Sequence, residues 1–117
     1  MNKFFRKLLP KKKEMKAYYK MHKRHRKELI EHAKKTKEWD WCFLHDSVMM
    51  QIKHMHEYYS AGNNVYQIDE SRNEIIKQLE YVLSMEGQIE RGECDNLEEK
   101  YEEMYRYIGK NMANWWD

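Results

Sequence analysis

Hydrophobic positions in this chain recur at helical intervals. Between residues 40 and 60, Trp41, Leu44, Val48, Ile52, Met55 and Tyr59 follow one another at spacings of 3, 4, 4, 3 and 4. That is one face of a helix held over five turns. The spacing predicts a helix from about Asp40 to Ser60, closed by Ala61-Gly62-Asn63-Asn64, a run of C-cap and turn residues. A second stripe, Ile75, Ile76, Leu79, Val82 and Leu83, follows Ser71-Arg72-Asn73-Glu74, which reads as an S-x-x-E capping box. This helix is expected to end near Met85, with Gly87 and Gly92 bracketing a connector. Asp95-Asn96-Leu97-Glu98 opens another helix by the same capping logic. Leu97, Tyr101, Met104, Tyr105, Ile108 and Met112 are expected on its buried side, before the chain reaches Trp115-Trp116-Asp117.

Upstream of residue 38 the pattern weakens. Pro10 suits the first turn of a helix, where a missing N–H costs nothing, so a helix is expected from about Pro10 to Lys37. Its apolar positions are Met15, Tyr18 or Tyr19, Leu29, Ile30 and Ala33. They are interrupted by His22-Lys23-Arg24-His25-Arg26, so the central turns should face solvent or a ligand. Only 4 Gly and 1 Pro stand in 117 residues, too few for the turns of a loop-rich or all-β fold. The expectation is therefore an all-α fold in a single helical domain, residues 1–117. A compact bundle of three core helices carries a long basic N-terminal helix, and short connectors make the core helices antiparallel neighbours.

Charge changes the picture. The formal net charge is only +2. Residues 1–37 nevertheless hold 15 Lys and Arg against 3 Glu, and residues 38–117 hold 7 against 17 acidic residues. A basic helix thus precedes an acidic, aromatic core, and the sign changes within Lys34-Lys35-Thr36-Lys37-Glu38-Trp39-Asp40-Trp41. Such segregation suits an acidic partner surface: nucleic acid, a protein, or the acidic part of this same molecule. Two cysteines, Cys42 and Cys94, make no disulfide framework. No stretch approaches the ~20 apolar residues of a membrane span, and the opening MNKFFRKLLPKKK lacks the continuous apolar run of a signal peptide. A reduced, intracellular setting is expected, with no membrane partner.

The stretch WDWCFLHDSVMMQIKHMHEYYSAGNN, taken with the closing NWWD, resembles small uncharacterised all-helical bacteriophage proteins over roughly residues 39–117. The resemblance implies an accessory protein acting in the cytoplasm of an infected bacterium, and it carries no functional residues with it.

Three chemical patterns stand beside plain structural roles. His45-Asp46 matches the dipeptide of helical HD phosphohydrolases, but nothing selects the further His and Asp that such a metal site needs. Cys42 and His45 lie three apart on one side of a helix, two short of a zinc set. Glu28-x-x-Glu31 and Glu99-x-x-Glu102 match the carboxylate pattern of helical nucleotide pyrophosphatases, yet the first pair sits among cations. No phosphate loop or nucleophile elbow is present. The expectation is a non-enzymatic protein without cofactor or metal.

Two binding readings remain, with a small metal-dependent nucleotide hydrolase built around His45 and Asp46 as a third. In the first, a protein-binding module, such as an inhibitor of a host or defence protein, uses Trp39, Tyr58, Tyr107, Trp115 and Trp116 as anchors. A homo-oligomer would use the same residues. Trp41, Tyr59, Tyr101 and Tyr105 are assigned to the core. In the second, Lys11, Lys12, Lys13, Lys16, Lys20, Lys23, Arg24, Arg26 and Lys27 bind nucleic acid or another acidic partner. Tyr18, Tyr19 and the histidines would then stack on exposed bases. These cations are read as lying all around the helix axis.

Overall fold

The computed structural model describes residues 12–35, 40–62, 64 and 66–117, with the side chains of residues 12–14 left out. All of the regular structure among them is helical. Helix α1 spans Lys12–Lys35, α2 Trp41–Ser60, α3 Asp69–Glu90 and α4 Leu97–Asn111, and a 3-10 turn follows at Met112–Asn114. The chain divides between residues 65 and 66 into two compact units. In the first α1 packs on α2, and in the second α3 packs on α4. The expected start of the first helix at Pro10 and its end at Lys37 lie outside the described residues.

Helix α2 begins and ends where its spacing predicts. Asp40 holds an extended N-cap conformation, and its carboxylate accepts from the Cys42 N–H at 2.9 Å. Ala61 closes the last turn onto the Glu57 carbonyl, and Gly62 follows at φ +73°. The Asn96 side chain caps α4 by accepting from the Glu99 N–H at 3.2 Å.

Helix α3 departs from expectation at both ends. Ser71 is not its cap: the helix starts two residues earlier, after Ile68, without a side-chain cap bond. Asp69 and Glu70 fill the first turn, where acidic side chains complement the helix dipole. At the other end α3 runs through Gly87 to Glu90 and stops at Gly92, whose φ of +69° costs glycine nothing. The six residues between Glu90 and Leu97 then turn the chain into α4.

The second unit is built around Ile75, Leu79, Val82 and Met85 of α3 against Met104 and Ile108 of α4, all buried. Trp115 joins them, and its indole N–H donates to Gln78 Oε1 at 2.8 Å. The C-terminal turn is tied back to the start of the unit. The Asp117 carboxylate accepts from the backbone N–H of Tyr66 and Gln67 at 2.6 and 3.1 Å, and the Gln67 amide donates to the Trp116 carbonyl at 2.8 Å.

Several stripe positions are not buried. Trp41 and Leu44 are 64% and 65% exposed, and Leu97, Tyr105 and Met112 are exposed on α4. They lie at the edges or in the end turns of their stripes, although Tyr59 in the last turn of α2 is buried. The expected core roles of Trp41 and Tyr105 are thereby corrected.

Candidate functional site

The outward face of α1 is defined by what its inward face does. Tyr18, His25 and His32 stand seven residues apart, two helical turns, so they form one row along the helix. Each meets a ring on α2. Tyr18 packs edge-on against Tyr58 at 5.9 Å between ring centres, His25 stacks on His54 at 3.8 Å, and His32 stacks on Phe43 at 4.7 Å. The partners run backwards along α2, so the helices are antiparallel. Met21 is buried in the same interface region, between Tyr18 and His25 in the row.

Polar bonds fill the remaining contacts. His54 Nε2–H donates to Glu28 Oε2 at 2.8 Å, and His25 Nε2–H donates to Glu57 Oε1 at 3.3 Å. Arg24 donates to Glu28 at 3.0 Å and is also bonded to Glu57. The Ser47 hydroxyl gives its proton to the Phe43 carbonyl at 2.6 Å, so it accepts from His32 Nε2–H at 3.0 Å. Burial pushes the His25 imidazole below its ordinary range, against the opposing bond to Glu57. The bond from His54 holds the Glu28 carboxyl below the usual carboxylate range, helped by Arg24.

The expectation that the central turns of this helix face solvent holds for His22, Lys23, Arg24 and Arg26, which are exposed, and is corrected at His25. His25, inside His22-Lys23-Arg24-His25-Arg26, is among the most buried residues of α1, whereas Ile30 is 54% exposed. A neutral imidazole is a flat ring that packs like other aromatics while keeping a polar edge for a carboxylate. The seven-residue recurrence of Tyr18, His25 and His32 was the available signal. Histidine read as a charge hides it.

Once the inward row is known, the cations sort themselves. Lys16, Lys20, Lys23, Arg26, Lys27 and Lys34 are all exposed and lie on the opposite side of α1, with exposed Tyr19 and Ile30 among them. An open groove runs along this side past Tyr19, Lys23, Arg26, Lys27, Ile30 and Lys34. Among the described residues, none of these six cations has an ion pair. Glu31 is the acidic residue bordering the groove. The reading that placed Lys and Arg all around the axis is replaced by a one-sided basic face about 27 Å long, at 1.5 Å per residue from Lys16 to Lys34. Arg24 leaves that set, since both its ion-pair partners belong to the α1–α2 contact.

Of the other expected binding residues, Lys11 and Trp39 lie outside the described residues, as do the side chains of Lys12 and Lys13. Tyr58 packs between Tyr18 and Tyr59. Tyr107 packs on Tyr81 at 4.4 Å, and burial beside that second phenol raises its pKa. Trp115 is buried, which corrects its expected surface role. Trp116 is 59% exposed.

The remaining chemical patterns are also located. His45 is buried while Asp46 beside it is exposed, and Cys42 is exposed. Glu28 is taken up by His54 and Arg24, and Glu31 is exposed. Among the described residues, no group of three or more His, Cys, Asp or Glu converges as a metal site. His25 and His54 lie face to face, with each Nε2 turned to its own glutamate. Among the described residues, no helix is long and apolar enough to cross a membrane. No protein-family model matches the chain, and neither does any curated protein or any solved structure.

Proposed function

We propose that this is a non-enzymatic accessory protein of the bacteriophage type that binds nucleic acid through the outward face of α1, in the cytoplasm of an infected bacterium. The observation that carries the proposal is the sorting of charge on α1. Six exposed cations without ion-pair partners among the described residues share one face, opposite the row that packs on α2. Bringing phosphates to such a face releases condensed counterions, which makes affinity steeply salt-dependent. Tyr19, exposed within the face, offers a ring for an unpaired base to stack on.

The protein-binding reading has less to work with. Of its five anchors, Tyr58 and Tyr107 pack on neighbouring tyrosines, Trp115 is buried and Trp39 is outside the described residues, which leaves Trp116.

The test is anisotropy of labelled single- and double-stranded DNA and RNA with the full chain over a salt series. Binding at micromolar concentration or tighter is expected at physiological salt. The K16E/K20E/K23E/K27E variant should lose more than tenfold in affinity. Absence of binding even at low salt overturns the proposal, and the acidic-protein reading then takes its place.

A further inference from the structure

The contact between α1 and α2 is made largely of rings and ions. Its centre is a cluster of five side chains: Arg24, His25 and Glu28 from α1, and His54 and Glu57 from α2. His25 and His54 stack with 3.8 Å between ring centres and 7° between their planes. Both imidazoles are buried, at 7% and 8% exposure. Each gives its Nε2–H to a carboxylate on the other helix. Arg24 bridges both carboxylates. The groups facing His25 are thus His54 and Glu57 from α2, with Arg24 and Glu28 on its own helix.

Charge counting makes the cluster sensitive to protons. Two carboxylates balance Arg24 and one imidazolium. A second imidazolium is a surplus charge, placed face to face with the first at stacking distance and shielded from water. Two cations in that position repel strongly at the low effective dielectric of a buried site. Burial already disfavours the charged form of His25. Around the cluster the described α1–α2 contacts are Tyr18 on Tyr58 and His32 on Phe43 and Ser47. Met21 adds buried apolar surface from α1 to these contacts.

We propose that the α1–α2 contact is a proton-gated clasp: protonation of both members of the His25–His54 pair releases α1 from α2. Release also changes α1 as a ligand. Charged His25 adds a cation on the side opposite the existing ones, and Arg24, freed from its glutamates, joins the groove it already borders. Only this consequence for affinity rests on the nucleic-acid reading; the clasp itself does not.

The experiment is an NMR titration of the full chain from pH 8 to pH 5 without nucleic acid. Imidazole Hε1 shifts follow each histidine, and the Tyr18–Tyr58 and His25–His54 ring NOEs follow the clasp. The NOEs should vanish over the pH range in which the second imidazole titrates, while the Trp115 and Leu79 signals stay unchanged. His25→Phe keeps the stack and removes the titration, so its Tyr18–Tyr58 NOE should persist to pH 5. Glu57→Gln removes a carboxylate that favours charged His25, so it should move the transition to lower pH; it decides the matter if the Phe variant does not form the clasp at pH 8. NOEs that survive full protonation of both imidazoles, or a Glu57→Gln midpoint that does not move, overturn the proposal. Nucleic-acid binding is measured separately at pH 8, with the clasp closed, so either idea can fail alone.

Discussion

Trp115 combines the largest side chain of the second unit's core with a polar edge that is satisfied by Gln78. Trp115→Ala should cost about 3–5 kcal/mol, the usual loss for a buried large aromatic. Gln78→Ala should cost about 1–2 kcal/mol, because it leaves the indole N–H without its partner. Both are checked by chemical denaturation followed by circular dichroism. Glycines divide in the opposite direction. Gly109 lies within α4, and a Cβ added there meets nothing within 4 Å, so Gly109→Ala should stabilise by about 0.5–1 kcal/mol. Gly92→Ala should destabilise by about 1 kcal/mol, because its φ is +69°. His25 and Glu28 of the first unit are shifted in the same direction. His25 has a folded pKa below its unfolded value, so stability is lost as pH falls from about 6.5 towards the folded value. Glu28 is shifted down as well, and its contribution is lost as pH falls from about 4.5 through its folded value. Acid should therefore loosen the first unit in two stages, read as a thermal midpoint that falls below pH 6.5 and falls again below pH 4.5.

Helix ends show which local signals the chain obeys. Asn96 caps α4 with a side-chain bond while Ile68 caps α3 without one. Asn96→Ala should accordingly cost about 1 kcal/mol, and Ile68→Asp should stabilise α3 by offering its first turn an acceptor; thermal melts of the two variants test the contrast. The start and stop of α2 and the core stripe Ile75, Leu79 and Val82 were legible, because period and capping are local properties, whereas the capping pattern Asp95-x-x-Glu98 lies one residue ahead of the actual cap, Asn96. The first turn of α3 was misplaced because Ser71-x-x-Glu74 satisfies the capping pattern, while Asp69 and Glu70 extend the helix by complementing its dipole. Gly87 was taken for a breaker, yet one glycine costs a helix only about 1 kcal/mol, which packing of the turns around it offsets. The inward row of α1 escaped notice for another reason. Its apolar residues are few, and two of its three packing rings are histidines, whose polar partners, Glu57 and Ser47, come from a different helix.

At the level of the whole chain, the steep division of charge along the sequence sets how partners approach. If five duplex phosphates are contacted by the basic face, the logarithm of affinity should fall against the logarithm of salt with a slope of roughly −4.5. Contacts of that kind position a protein on the backbone and read no bases. Affinity for unrelated sequences of equal length should consequently agree within a few fold, measured by competition, and each Lys→Glu change on the face should flatten the slope.

The main helix–helix packings pair an element with its neighbour in the chain: α1 with α2, and α3 with α4 across a six-residue turn at Gly92. Ordering such neighbours closes only short loops, so little chain entropy is spent before the first contacts reward it. Each hairpin can then form early and on its own schedule. Refolding from denaturant should bring back most of the helical ellipticity within the dead time of a stopped-flow mixer, before any slower adjustment of the aromatic side chains.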